Sequence, residues 1–298
     1  MARSQEVAVS ADLSLEHNQL LPDEKMYLKL TVANRSGQEL KLGSVSNWLA
    51  FTVLGEKNAV VEQLLDDYDY CTNAPSVPTG STASCVFNLT PYFNFRQPGN
   101  YTIKATIKIP EWQQEVGVAP VAFSIIKGVR LQNIPYTDQA VGVPLMRNGS
   151  NQPPEVRKFY LERSDVPGNM QLFVRLTDGT GNHTKRLVPI GPYFSFTPPD
   201  VKMDHYNNLH VLHQTSGQKF TYCVIDTLGL MLERQTYEDR GQRPVLRGDD
   251  KGEVSVADGV RVLASTDLPP PQINLPVPSP NTNSPVPSTI TNSPAGRR

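Results

Sequence analysis

Two-residue alternation of apolar and polar side chains is the feature that most constrains the fold of this chain. Between residues 101 and 109 every second residue is apolar, and the residues between them are threonine or lysine. A period of two places the apolar side chains on one face of a β-strand. Residues 26–34 (MYLKLTVAN) alternate in the same way. The chain also contains 26 prolines in 298 residues, and helix interiors do not tolerate proline. We therefore predict an all-β protein.

The N-terminal part predicts an immunoglobulin-like β-sandwich over residues 5–128. About seven strand-like segments follow one another there, separated by turn signals such as Asn34–Gly37 and Pro98–Gly99. Tyr101 follows the second of these turns, where such sandwiches place a tyrosine whose hydroxyl bonds back to the main chain. Residues 59–65 fit either a helical turn or a strand.

The following part, residues 129–265, predicts an antiparallel module of β-hairpins with turns at 166–169, 178–181 and 215–217. Two of its segments, PDVKMDHYNNLHV (199–211) and PVLRGDDKGEVSV (244–256), form a weak repeat at a period of 45 that matches Asp204 with Asp249. This period is the spacing of four-stranded propeller blades, although the chain is too short for a closed propeller. We predict a propeller-blade-like antiparallel β module.

Residues 266–298 predict a disordered, proline-rich tail. Nine prolines lie between 269 and 294, and the charged residues beyond 267 are Arg297 and Arg298. A segment of this composition buries too little apolar surface to offset its conformational entropy.

The balance of charge excludes one class of function. Lysine and arginine number 28 against 29 acidic residues, for a net charge of -1, so the chain lacks the basic surface of an electrostatic nucleic-acid binder.

No apolar stretch approaches 18 residues, so we predict no transmembrane segment. The N-terminal residues lack the apolar core of a signal peptide, which by itself favours a cytoplasmic location.

The cysteines favour a different compartment. Cys71 and Cys85 flank a segment rich in proline, threonine and serine, and a disulfide between them would stabilise the fold by roughly 3 kcal/mol. Such a bridge would indicate an oxidising compartment. The alternative is two unpaired thiols. Cys223, in the run FTYCVID, is predicted to be a buried core thiol.

Three histidines and several acidic residues are candidate metal ligands. His205, His210 and His213 lie beside Asp204, a set of residue types that holds zinc. In a strand, however, His210 and His213 point to opposite faces, so we predict no metal site and no cofactor. The acidic runs 66–69 and 249–253 depart from the calcium-loop pattern, and the second is predicted to be a hairpin turn.

The chain contains no sequence motif of an activated nucleophile, a phosphate loop or a zinc protease, so we predict that it is not an enzyme. The alternative is a hydrolase with an unrecognised site.

Aromatic residues offer a contact for a ligand. Tyr92 and Phe93, with Phe95 and Trp112, would form a platform for sugar rings if they are exposed; the alternative is core packing.

Five segments carry a resemblance to known sequences: PEVRKFYLER (154–163), NNLHVLHQT (207–215), FTYCVIDTLG (220–229), RQTYEDRGQRPVL (234–246) and DDKGEVSVADGVR (249–261). Together they resemble an uncharacterised family of bacterial secreted proteins, over about residues 80–270 of this chain. The resemblance implies an immunoglobulin-like N-terminal domain, a blade-like β module and an extracytoplasmic setting. It implies no chemistry. The chain departs from the family by lacking a signal peptide.

These observations lead to three functional hypotheses. The first is a non-catalytic structural or adhesion-type module of the periplasm or cell surface. The second is a module that binds a polysaccharide or a protein partner, including an inhibitor of a protease, and an intracellular inhibitor would suit a cytoplasmic location. The third is the hydrolase. The sequence does not identify the partner.

Overall fold

The structure is a computed structural model that describes residues 8–45, 47–65, 76–143, 155–166, 168–194 and 197–268. Within these ranges the regular elements are β-strands and two 3-10 turns, so the predicted all-β class is confirmed. None of the sheets formed by these strands closes on itself. No helix in the described part of the chain has the length and apolar character that crossing a membrane requires.

The strands before residue 128 form two main sheets and one small sheet. Their bounds are β1 Val9–Leu15, β2 Gln19–Leu20, β3 Tyr27–Asn34, β4 Leu40–Lys41, β5 Leu49–Leu54, β6 Ser76–Val77, β7 Thr82–Asn88, β8 Gly99–Ile109 and β9 Gln114–Ile125, with 3-10 turns at Glu56–Asn58 and Pro110–Trp112. One sheet has the order β1-β3-β7 and the other β2-β9-β8-β5, while β4 pairs with β6. All pairs are antiparallel except β2 with β9.

One hydrophobic core fills the space between these two main sheets. Alternate residues of β3 and β8 point into it, as the sequence alternation predicts, and Leu28, Ile103 and Ile107 are fully buried. The rings of Phe51 on β5 and Phe87 on β7 meet edge to face across the core, with centroids 5.8 Å apart. This contact joins one sheet to the other.

Tyr101 has the structural role predicted for it. Its ring lies in the core, stacked on Phe123 with centroids 5.3 Å apart. Its hydroxyl donates a hydrogen bond of 2.6 Å to the carbonyl of Gln97, four residues upstream. Burial raises the pKa of this phenol.

The strands after residue 128 form a second module. Their bounds are β10 Val129–Arg130, β11 Ala140–Gly142, β12 Val156–Arg163, β13 Gln171–Asp178, β14 Thr184–Pro192, β15 Asp200–Met203, β16 Leu209–Ser216, β17 Lys219–Ile225, β18 Met231–Glu238, β19 Val245–Gly248, β20 Val254–Ala257 and β21 Val260–Val262. They make a sheet β10-β12-β13-β14, with β11 also on β12, a sheet β15-β16-β17-β18-β21, and the hairpin β19-β20. Among the described strands, no sheet combines strands from both sides of residue 128.

This second module has three layers. Phe159 and Val174 of the first sheet share a core with Val211 and Ile225 of the second. The hairpin β19-β20 covers the other face of the second sheet, where Leu246 packs on β16 and β17. When a sheet is covered on both faces, the side chains on both faces of its strands are buried, so apolar residues need not alternate with polar ones. Accordingly, β13 is buried from Leu172 through Thr177 and β17 from Phe220 through Ile225.

The repeat in this module comes from one type of hairpin turn. Asp204 and Asp249 each accept hydrogen bonds from two backbone N–H groups, two and four residues downstream, at 2.8–2.9 Å. Asp226 forms the same turn, with bonds of 2.9 and 2.7 Å. Each turn has a left-handed residue at its fourth position, namely Asn207, Gly229 or Gly252. The three aspartates are 22 and 23 residues apart, so the period of 45 spans two such turns.

The predicted tail begins with three described residues. The backbone N–H of Leu268 donates to the carbonyl of Arg234, and the carboxylate of Asp267 accepts a hydrogen bond of 2.8 Å from Thr236. Residues 266–268 therefore lie against β18, which the prediction of a disordered tail from 266 did not anticipate. The rest of that prediction concerns residues 269–298, which lie outside the described ranges.

Candidate functional site

The predicted aromatic platform lies largely within the first module's core. Phe93 and Phe95 are 3% and 5% exposed, with ring centroids 5.9 Å apart, which favours core packing for both. Tyr92 and Trp112 are half-buried and pack against the same core. Ligand contact by these two residues stays a prediction, whereas Phe93 has almost no surface to offer a ligand.

The predicted disulfide falls partly outside the described ranges, because Cys71 lies in the gap between residues 65 and 76. Cys85 is buried on β7. Cys223 is fully buried on β17, as predicted, and burial raises the pKa of its thiol to about 12. A thiol of this kind is inert in the folded protein because it is neither ionised nor accessible.

The three histidines do not converge on one point. His210 and His213 lie on opposite faces of β16, as the strand geometry predicts, and His205 lies in the turn that precedes this strand. In the described part of the chain, no group of three or more histidine, cysteine or acidic side chains could hold a metal ion.

His210 instead belongs to a buried polar network. Its Nε2 lies 3.1 Å from Oδ2 of Asp204, and its Nδ1 lies 2.7 Å from the hydroxyl of Tyr222. Because a carboxylate can only accept, Nε2 donates to Asp204 and Nδ1 accepts from Tyr222. Burial lowers the pKa of His210 and raises that of Tyr222.

This network has the order acid, imidazole, hydroxyl, which is the order of a hydrolase triad. The hydroxyl, however, is a phenol whose pKa is raised, so it remains protonated. Tyr222 and His210 are both 5% exposed, and Tyr222 shares its hydrophobic cluster with Leu246 of the covering hairpin. The arrangement satisfies buried polar groups and fixes the Asp204 turn, where burial alone would raise the pKa of Asp204 but hydrogen bonds from Asn208 and His210 lower it.

The junction of the two modules is a second buried network. Arg175 on β13 donates from Nε to Glu162 at 2.9 Å and from Nη1 to Asp23, in the loop between β2 and β3, at 3.0 Å. Its Nη1 also bonds Thr184, and its Nη2 bonds the carbonyl of Pro22. Beside it, Leu21 and Ile126 of the first module pack on Phe173 and Leu187 of the second. One arginine thus joins groups of both modules.

A cleft of about 410 Å³ opens along this junction. A volume of this size falls within the range of small-molecule sites, which are common between domains. The first module contributes residues from two loops and the start of β3, and the second contributes β14 and the turn before β18. The lining residues are Glu16, His17, Glu24, Lys25, Tyr27, Arg186, Leu187, Val188, Pro189, Gly229, Leu230 and Met231.

The two acidic groups of the cleft have no lysine or arginine partner among the described residues. Glu24 accepts a hydrogen bond of 2.7 Å from the backbone N–H of Leu21, and burial raises its pKa although this bond opposes the shift. Glu16 lies 3.9 Å from the ring of His17. No carboxylate of the described residues forms an ion pair with Arg186 or Lys25. Within the described part of the chain, Arg186 and Lys25 are thus cations without an ion pair, in a cleft that also holds the carboxylates of Glu16 and Glu24.

Neither the junction between the modules nor the cleft beside it was predicted from the sequence. Arg175 and Asp23 are 152 residues apart, and neither belongs to a motif. One signal was available: Arg175 interrupts an otherwise apolar strand, and a charged residue in such a strand needs a partner. That signal marks the arginine but does not identify its partners.

Comparisons with known proteins add little. No protein-family model and no curated protein sequence matches the chain. Among solved structures, the chain is similar to the sporulation control protein Spo0M from Bacillus subtilis, with 10% sequence identity over 61% of this chain and 89% of that chain. The TM-score is 0.27, and at this value the similarity carries no argument about fold or function.

Proposed function

We propose that this chain is a non-catalytic structural or adhesion-type module of the cell envelope or surface. The observation that supports the proposal is the junction, where Arg175 bonds Glu162 of its own module and Asp23 of the other. A buried bridge of this kind holds two β modules in one fixed orientation, which suits a protein whose work is to display or space a surface. Proteins that require domain closure have looser junctions.

We propose, more finely, that the first module is immunoglobulin-like. Support comes from the two sheets that share one core and from the hydroxyl of Tyr101 bonded to Gln97, the geometry of a tyrosine corner. For the second module we propose a pair of propeller-like blades. Support comes from the order β15-β16-β17-β18, in which consecutive strands are neighbours, and from its face-to-face packing on β12-β13-β14.

The second candidate function is a module that binds a polysaccharide or a protein partner. The cleft favours it, because two rigidly joined modules form its walls and because Tyr27 and Leu230, one from each wall, are 43% and 44% exposed. Exposed apolar side chains in a concave site favour binding of a ligand with an apolar part.

Counting thiols in cell fractions tests the proposed extracytoplasmic location. We expect the unreduced protein, isolated from the envelope fraction of its host, to have no rapidly reacting thiol when folded and one when unfolded. That one is Cys223, because we propose that Cys71 and Cys85 are bridged. Reduction should raise the count in the unfolded protein to three, the number of cysteines in the chain.

Cys223→Ser is the matched control, and its unfolded, unreduced form should have no thiol. Three thiols in unreduced, unfolded protein from the soluble cytosolic fraction would contradict the envelope location. They would shift the function towards an intracellular scaffold or inhibitor.

A further inference from the structure

The cleft between the modules lies beside the junction that joins them. Leu187 belongs both to the hydrophobic cluster of the junction and to the lining of the cleft. Because Arg175 fixes the modules beside this cluster, the cleft exists before any ligand arrives. A preformed site loses little free energy to ordering when it binds.

Both walls of the cleft offer apolar side chains. Tyr27 begins β3 in the first module, and Leu230 ends the Asp226 turn in the second. Both are more than two-fifths exposed and both line the cleft, as does Met231 beside Leu230. A ligand with an apolar body would cover side chains from both walls at once.

Arg186 supplies an unmatched positive charge at this site. Its stem lies against the Asp226 turn, since a methyl group at Gly229 would be 2.8 Å from Cδ of Arg186. It also lines a neighbouring cleft of about 240 Å³, together with Arg96 and Lys185. The acid of that second cleft, Asp23, is already bonded to Arg175 at 3.0 Å. Arg96 and Lys185 pair with Asp23 at 3.7 Å and with Glu155 at 3.3 Å, whereas Arg186 has no ion pair among the described residues.

We propose that the cleft binds a small amphiphilic anion, in which an apolar body carries one carboxylate or sulfonate group. The apolar body lies between Tyr27 and Leu230, and the anionic group bonds the guanidinium of Arg186. A planar guanidinium suits such oxyanions because it presents two parallel N–H groups. The inference goes beyond the proposed function, since the chemistry of the cleft is the same in any compartment.

A fluorescence titration of the full chain with 8-anilinonaphthalene-1-sulfonate tests this inference. We expect one site per chain and an affinity that falls as sodium chloride is added, because salt screens the charge contact. Arg186→Gln should weaken binding about ten-fold, as loss of a charged hydrogen bond does. Leu230→Ser should weaken it to a similar extent. Dodecanoate should displace the dye.

Matched variants separate this site from general adsorption of the dye. Lys104→Gln removes an exposed cation on β8, and Val86→Ser removes a side chain that is 61% exposed on β7; both should leave the dissociation constant unchanged. The uncharged analogue N-phenyl-1-naphthylamine should bind equally well to the native protein and to Arg186→Gln. Thermal midpoints of all variants confirm that they are folded.

Two results would overturn the inference. One is an unchanged dissociation constant in Arg186→Gln, which would show that no anionic group is recognised there. The other is an equal loss of affinity in Leu230→Ser and Val86→Ser, which would show that the dye binds apolar surface generally. Neither result bears on the thiol count or on the cell fraction, so the proposed function is judged separately.

Discussion

Replacing Arg175 with methionine is expected to lower the free energy of unfolding by about 3–5 kcal/mol, which is the usual effect of removing one partner from a buried ion pair. The side chains of Arg175 and Glu162 are each about one-tenth exposed, so solvent hardly screens their contact. Methionine fills most of the arginine's volume but leaves the carboxylate of Glu162 buried, and the remaining ion-pair partner among the described residues is Arg130 at 3.9 Å. Denaturant titration measures the loss, and the thermal midpoint should fall on the order of 10 °C.

Two further variants decide whether charge is the cause. Arg247→Met removes an ion pair to Asp258 whose arginine is two-thirds exposed, and its effect should stay within about 0.5 kcal/mol. Arg175→Met combined with Glu162→Leu should recover much of the stability, because replacing a whole buried pair by apolar groups is often neutral. A loss below about 1 kcal/mol in the single variant would argue against the bridge as the element that holds the junction.

Acid is expected to destabilise this protein from pH 6.5 downwards, with His213 as a main cause. Its ring is 1% exposed on the face of β16 towards the second module's core, and neither ring nitrogen has a hydrogen-bond partner among the described residues. Burial, aided by the nearby charge of Arg234, lowers its pKa to about 3. The carbonyl of Pro192 faces the ring and partly opposes the shift, without the geometry of a hydrogen bond.

The direction of the pH dependence follows from these values. The unfolded chain takes up a proton at His213 near pH 6.5, whereas the folded protein does so only near pH 3. The contribution of neutral His213 to the free energy of unfolding is therefore complete above pH 6.5 and is lost as the pH falls towards 3. Between pH 6.5 and 4.5 the loss is about 2 kcal/mol. His210, whose pKa burial also lowers, adds to it in the same direction.

His213→Leu should flatten the dependence of unfolding midpoint on pH by this amount, while stability at pH 7.5 stays the same or rises. Stability at pH 7.5 should not fall, because the variant removes two unpartnered polar atoms from the core. His205→Leu, which removes an exposed imidazole, is the matched control. A native slope together with a loss of stability at pH 7.5 in His213→Leu would contradict this expectation and would show that a hydrogen-bond partner holds the imidazole in the folded protein.

The strands of this fold were largely predictable because their local pattern is strong. Alternation identified β3 and β8, while the turns at 166–169 and 178–181 delimited β13 and the turn at 215–217 marked the start of β17. The strand β1 was missed. Its sequence, VSADLSL, alternates apolar and polar residues throughout, so the signal was present; three of its four apolar residues, Ala11, Leu13 and Leu15, are only half-buried.

The site could not be predicted in the same way, because it depends on how the modules pack. The two buried polar networks differ in how far apart their members lie in the sequence. Asp204 and His210 are six residues apart and share a strand and its turn, so their proximity was open to inference from the sequence. Arg175 and Asp23 meet across 152 residues, and a local pattern contains no information about such a pair.

Because β13 is covered on both faces, the second module depends on the first, and this dependence affects how the protein can be inherited. One face of its sheet belongs to the interior of the second module, and the other carries Phe173 and Arg175 to the first. A gene fragment that encoded the second module alone would express a sheet with a bare apolar face and an arginine without its distant acid. We therefore expect the two modules to be inherited together, as a single unit of recombination.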